Sequence, residues 1–67
     1  MTDHEIIMEA AAYDPDTLRG GIMTLYNCSE IEVDGAGEVW IANPQPGHWL
    51  DDDGIARIAR AIRAGNI

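Results

Sequence analysis

The sequence predicts a small α+β domain, in which an N-terminal helix, an antiparallel sheet of two or three strands and a C-terminal helix share one core. Three observations lead to this fold class. A capping-box spacing opens the chain, residues 30–42 alternate acidic with apolar residues around a glycine-containing turn, and isoleucines recur at helical spacing near the end. With 67 residues, of which 46% are hydrophobic, the chain has room for one thin core. Residues 1–67 are therefore expected to form a single domain.

The first helix is predicted at residues 2–12. Thr2 and Glu5 have the spacing of a capping box, in which each side chain pairs with a backbone N–H of the first turn. Asp14 precedes Pro15, and a residue before proline disfavours helical backbone. We therefore expect the helix to end there.

Residues 14–28 are less regular. We expect a turn or one short helical turn at residues 14–21, with Asp14 as its cap and Pro15 as its first residue. Gly20 and Gly21 are expected to break any helix that forms there. The apolar run at 22–27 is too short for periodicity to distinguish a strand from a helix, and we expect a strand.

The hairpin at residues 30–42 is the clearest strand prediction. A three-residue loop at 35–37 supplies a glycine for the left-handed position and sets Val33 opposite Val39. The apolar face then consists of Ile31, Val33, Val39 and Ile41. The other face consists of Glu30, Glu32, Asp34, Glu38 and Trp40. The acids share one face because the other is predicted to be the core.

The C-terminal third is predicted to be a loop followed by a helix. Two prolines and a glycine place residues 43–49 in a loop. The three aspartates at 51–53 fit the first turn of a helix, where acids cap the backbone and complement the helix dipole. The apolar side of this helix, which consists of Ile55, Ile58, Ala59 and Ile62, is expected to pack on the sheet. Its arginines lie on the opposite side.

Charge is the dominant compositional feature. Twelve acids face four arginines and no lysine, for a net charge of −8. Such a polyanion is expected to bind neither nucleic acid nor an anionic membrane directly. The single cysteine excludes an internal disulfide, and no apolar run approaches the length of a membrane span. These features predict a cytoplasmic protein whose natural partner is a basic surface.

No residue pattern predicts catalysis. Cys28, His4 and His48 do not have the spacing of a zinc site or of a nucleophile with its base. Three consecutive aspartates point in different directions, unlike the ligands of a calcium loop. We therefore expect no enzyme activity, no metal and no cofactor.

The acidic hairpin face has two interpretations. It can be a solvated surface, since exposed like charges interact weakly in water. It can also be a ladder with carboxylates about 7 Å apart, of the same order as the phosphate spacing of DNA. Trp40 in the same row favours binding, because tryptophan is an enriched interface anchor. If the first helix lies nearby, the ladder would extend to Glu5, Glu9, Asp14 and Asp16.

In its length, charge and lack of catalytic groups, and in the acidic row around Trp40, the chain resembles the small acidic phage-encoded anti-CRISPR proteins that act on type I complexes. The resemblance implies binding to a basic DNA-binding groove of a Cas subunit, inside a bacterial host, in competition with target DNA. The basic C-terminal helix departs from a uniformly acidic DNA mimic.

The alternative is a small homo-oligomeric adaptor or antitoxin-like module whose acidic face is only solvated. It would bind through apolar residues such as Trp49, Met23 or Tyr26. The basic helix of one copy could also meet the acidic sheet of another in a homodimer.

Overall fold

The computed structural model describes residues 1–43 and 46–67. Its elements follow the order α1 (Asp3–Tyr13), α2 (Pro15–Tyr26), β1 (Glu30–Val33), β2 (Val39–Ala42), β3 (His48–Trp49) and α3 (Asp52–Arg63). The strands form an antiparallel sheet in the order β1-β2-β3. The predicted α+β class is confirmed.

The first helix, predicted at residues 2–12, lies at Asp3–Tyr13 and has the predicted cap. Its N-terminus has both hydrogen bonds of a capping box: the Glu5 amide donates to the Thr2 hydroxyl at 3.1 Å, and the Thr2 amide donates to the Glu5 carboxylate at 2.9 Å. The helix ends at Tyr13, and Asp14 follows with non-helical backbone angles. The capping box therefore determines the start of α1, and the Asp14-Pro15 pair determines its end.

The prediction for residues 14–28 was wrong in its main point. The Asp14 cap and Pro15 at the first position are confirmed, but the helix continues through Gly20 and Gly21 to Tyr26, where a strand was expected. The reason is tertiary. Helical spacing places Leu18 and Ile22 on one buried side of α2, and this burial outweighs the low helix propensity of two glycines.

The hairpin has the predicted register. Ile31 pairs with Ile41, Glu32 with Trp40 and Val33 with Val39. Gly37 adopts the left-handed backbone, with φ of 78°. The local turn and the alternation of side chains therefore agree on one pairing.

The loop predicted at 43–49 contains a short strand. His48 pairs with Ile41 and Trp49 with Trp40, so β3 extends the sheet to three strands. This corrects the prediction at 48–49, while positions 44 and 45 lie outside the described residues.

The core lies between the helices and the apolar face of the sheet. Its most deeply buried side chains are Ile7, Leu18, Ile22, Val39, Ile55 and Ile58. Helix α3 begins at the predicted aspartates, with the Asp51 carboxylate accepting from the Gly54 amide at 3.0 Å. Among the described residues, none of the helices combines the length and apolar character that crossing a bilayer requires.

Candidate interaction surface

The polar face of the sheet carries a shallow groove of about 520 Å³, here called the sheet-face groove. It is lined by Arg19, Ser29, Glu30, Ile31, Glu32, Trp40 and Trp49. Two tryptophans and two glutamates on one surface give this groove both aromatic area and negative charge.

Strand register brings these side chains together. Glu32 lies directly opposite Trp40 on one side, and Trp49 lies opposite Trp40 on the other. Residues directly opposite each other on an antiparallel sheet point to the same face, with Cβ atoms about 5 Å apart. The three side chains therefore form a continuous row across the sheet, and Glu30 adds a second carboxylate two residues before Glu32.

The two tryptophans differ in their exposure. Trp40 is partly covered, because its indole lies against the Cα of Gly47, where any Cβ would collide with the ring. Trp49 is 53% exposed. From the sequence, Trp49 was expected in a loop and had a role only in the alternative function. The signal that could have located it is a strong strand former just after the Pro46-Gly47 turn signal.

Glu30 and Glu32 are the acids that line the sheet-face groove. Both residues are exposed, and within the described part of the chain neither carboxylate has a hydrogen-bond or ion-pair partner. Arg19 lines the same groove, but its Nη1 donates to the Ile31 carbonyl at 3.2 Å. The two carboxylates are therefore available to an external cation.

Asp34 and Glu38 are engaged within the fold. The Asp34 Oδ1 accepts from the amides of Ala36 and Glu38, both at 2.9 Å, and so closes the hairpin turn. Glu38 Oε1 lies 2.7 Å from His4 Nε2. That contact has the distance of an ion pair but not the geometry of a hydrogen bond. Asp34 therefore stabilises the hairpin turn, and Glu38 connects the hairpin to the start of α1.

The other four acids of the predicted set, Glu5, Glu9, Asp14 and Asp16, lie in or next to α1 and α2. Glu9 and Asp14 line a second groove of about 390 Å³, which shares none of its described lining residues with the sheet-face groove. We call it the interhelical groove. Glu5 caps α1, and Asp16 lies in the first turn of α2. The predicted acidic set is therefore divided, and only Glu30 and Glu32 line the sheet-face groove with the tryptophans.

Hydrogen bonds hold two of these caps in the charged form. The pKa of Glu5 is lowered because its carboxylate accepts a hydrogen bond from the Thr2 amide and also hydrogen-bonds with the Thr2 hydroxyl. The pKa of Asp14 is lowered because the Thr17 hydroxyl donates to it at 2.7 Å and the Thr17 amide at 3.2 Å. Donors to a carboxylate favour its ionised form.

Arg57, Tyr26 and Cys28 make contacts within the fold. The Arg57 guanidinium lies 5.0 Å from the centre of the Tyr26 ring, whose hydroxyl donates to the Gly54 carbonyl. Cys28 is buried in the core. Among residues 1–43 and 46–67, no group of three or more histidines, cysteines or acids is placed to hold a metal ion.

No family model, curated protein or solved structure matches the chain. The side chains of the sheet-face groove are therefore the basis on which a function can be inferred.

Proposed function

We propose that the protein is a non-enzymatic inhibitor that presents its acidic sheet face to the DNA-binding groove of another protein. The target that best suits this chain is a Cas subunit of a type I CRISPR complex, in the cytoplasm of a bacterial host. The observation that supports the proposal is a pair of exposed carboxylates, Glu30 and Glu32, which have no partner among the described residues and line the same groove as the exposed Trp49.

Competition with DNA needs negative charge at phosphate-like spacing and an apolar anchor. Glu30 and Glu32 are two residues apart on β1, which places them about 7 Å apart on one face. A basic groove binds DNA through Lys and Arg contacts to phosphate. The same cations can pair with these carboxylates, while the tryptophans contribute contact area. The mechanism is therefore steric and electrostatic competition.

The test is displacement of a labelled target duplex from a purified type I complex. The Glu30→Gln/Glu32→Gln variant should lose at least about tenfold in inhibitory potency, since a hydrogen bond to a charged group contributes about 1.5 kcal/mol. The matched control is Glu9→Gln/Asp16→Asn, which removes the same charge from α1 and α2. Full inhibition by the folded sheet variant would contradict the proposal. Inhibition should also weaken steeply as salt rises.

The adaptor alternative is favoured by a different observation. Tyr13 is 92% exposed beside the largely aliphatic interhelical groove, whereas Met23 and Tyr26, the other apolar residues expected to bind in that case, are packed against the core. An adaptor of this kind would associate through Tyr13 or Trp49, and its association would respond little to salt. Sedimentation of wild type and Tyr13→Ala at low and high salt distinguishes this behaviour from charge-driven competition.

A further inference from the structure

The sheet-face groove has a chemistry more specific than negative charge. Its row places a carboxylate, a partly covered indole and an exposed indole on three adjacent strands. Neighbouring strands are about 4.8 Å apart. A cation resting on the central or outer indole is then within reach of a carboxylate one or two strands away.

We propose that this groove binds an arginine side chain of the partner protein. The guanidinium would stack on the exposed face of Trp49 and donate to the carboxylates of Glu32 or Glu30. The inference rests on the proposed function, because arginine is one of the cations that DNA-binding grooves present to phosphate.

Arginine fits the groove better than lysine for two reasons. Its planar guanidinium stacks on aromatic faces, and it is more weakly hydrated than an ammonium group. Its donors form a fork that matches a carboxylate with two parallel hydrogen bonds. An ammonium group can pair with Glu32, but it offers neither the flat surface nor the fork.

The arginine already in the groove leaves this site open. Arg19 Nη1 is bound to the Ile31 carbonyl on β1, and no ion pair joins Arg19 to Glu30 or Glu32 in the described part of the chain. Two carboxylates beside one guanidinium keep the groove net negative. Charge complementarity therefore favours a second, external guanidinium.

The experiment compares hexa-arginine with hexa-lysine, two tryptophan-free peptides of equal charge. Binding is followed through the two indole N–H signals of the ¹⁵N-labelled full chain. We expect hexa-arginine to bind about threefold more tightly, from cation–π stacking at a partly exposed ring, and to shift the indole signals. Equal affinity of the two peptides, or unshifted indole signals, would overturn the proposal.

Matched variants separate the site from overall charge. Trp49→Leu should remove the preference for arginine, whereas Tyr13→Leu, which replaces an exposed aromatic outside the groove, should keep it. Glu32→Gln should weaken hexa-arginine binding about threefold more than Glu9→Gln, which removes an equal charge from α1. An equal loss for both glutamates would show that only net charge attracts the peptide, and would refute the site.

The peptide experiment tests the arginine site, and the DNA-displacement experiment tests the inhibitor function, so that one can be refuted without the other. Arginine-selective binding at the groove without displacement of DNA would support the arginine site and refute competition. Displacement of DNA that depends on Glu30 and Glu32, without arginine preference or indole shifts, would refute the arginine site and leave the inhibitor function supported.

Discussion

The two grooves of this protein share one structural feature and differ in the side chains that line them. At each groove, a large apolar side chain packs directly against a glycine. Gly47 lies beneath the Trp40 indole in the sheet-face groove, and Gly21 lies beneath the Ile67 side chain beside the interhelical groove. In both places a methyl group would collide with the neighbouring side chain. Close approach, rather than a turn, explains these two glycines.

Asp14 of the interhelical groove and the two glutamates of the sheet-face groove serve different purposes. Asp14, at the interhelical groove, caps α2, and its carboxylate is satisfied by the amide and hydroxyl of Thr17. Glu30 and Glu32 on the sheet face have no such partners within the described residues. Carboxylates of equal formal charge therefore differ in how readily they can bind an external cation. Counting all twelve acids overestimates the number that can contact a basic partner.

The largest stability effect is expected at Gly47. In Gly47→Ala the new methyl group would displace the Trp40 indole, so the free energy of unfolding should fall by about 1–3 kcal/mol, as in other overpacked sites. Chemical denaturation measures the fall, and the indole N–H signal of Trp40 should move. Gly35→Ala is the matched control, because no atom of the described residues lies within 4 Å of the added methyl group. Equal losses in the two variants would refute the role of Gly47 as a seat for Trp40.

A smaller effect separates the adjacent glycines of α2. Gly20→Ala adds a methyl group into open space and should raise the free energy of unfolding by about 0.5–1 kcal/mol through helix propensity. Gly21→Ala gains the same propensity but places its Cβ 2.7 Å from Cγ2 of Ile67. It should therefore be about 1 kcal/mol less stable than Gly20→Ala, since Ile67 loses part of its burial. Identical thermal and chemical denaturation of the two variants would contradict the contact.

The smallest effect concerns acid stability. The pKa of Asp14 is lowered in the folded protein, so its contribution to stability is fully present above the ordinary aspartate value of about 4. That contribution is lost as the pH falls through the folded-state pKa. The carboxamide introduced by Asp14→Asn can still accept the capping hydrogen bond, but it does not titrate. Denaturation curves from pH 6 to pH 2 should show a shallower loss of stability for this variant, and a wild-type slope would show that the cap does not contribute.

These differences also explain what the sequence could predict. The hairpin and the α1 cap are local, since the turn at 35–37 and the Thr2–Glu5 pair contain the residues that determine them. Helix α2 depends on contacts distant in sequence, such as Ile67 against Gly21. Local propensity therefore pointed to the wrong structure for that segment.

The candidate site shows the same distinction between local and non-local contacts. The acidic face of β1 follows from alternation alone, and its exposure was predicted. The Trp49 strand exists only because β2 provides a pairing edge, so its place beside Trp40 depends on a non-local pairing. The engagement of Glu38 was also missed, because its partner His4 is more than thirty positions away. The engagement of Asp34 was missed although it is local, since aspartate side chains commonly accept from amides of their own turn.

The hydrogen bond from Arg19 to the Ile31 carbonyl has a consequence for self-association. Strand β1 is at the edge of the sheet, and the unpaired backbone groups of an edge strand are a template on which another chain can add a strand and begin to aggregate. The guanidinium of Arg19 occupies one of these acceptors and places a charged side chain along the edge. The edge of β1 is thereby less available for backbone pairing with an extended peptide, while the side chains on the sheet face stay exposed.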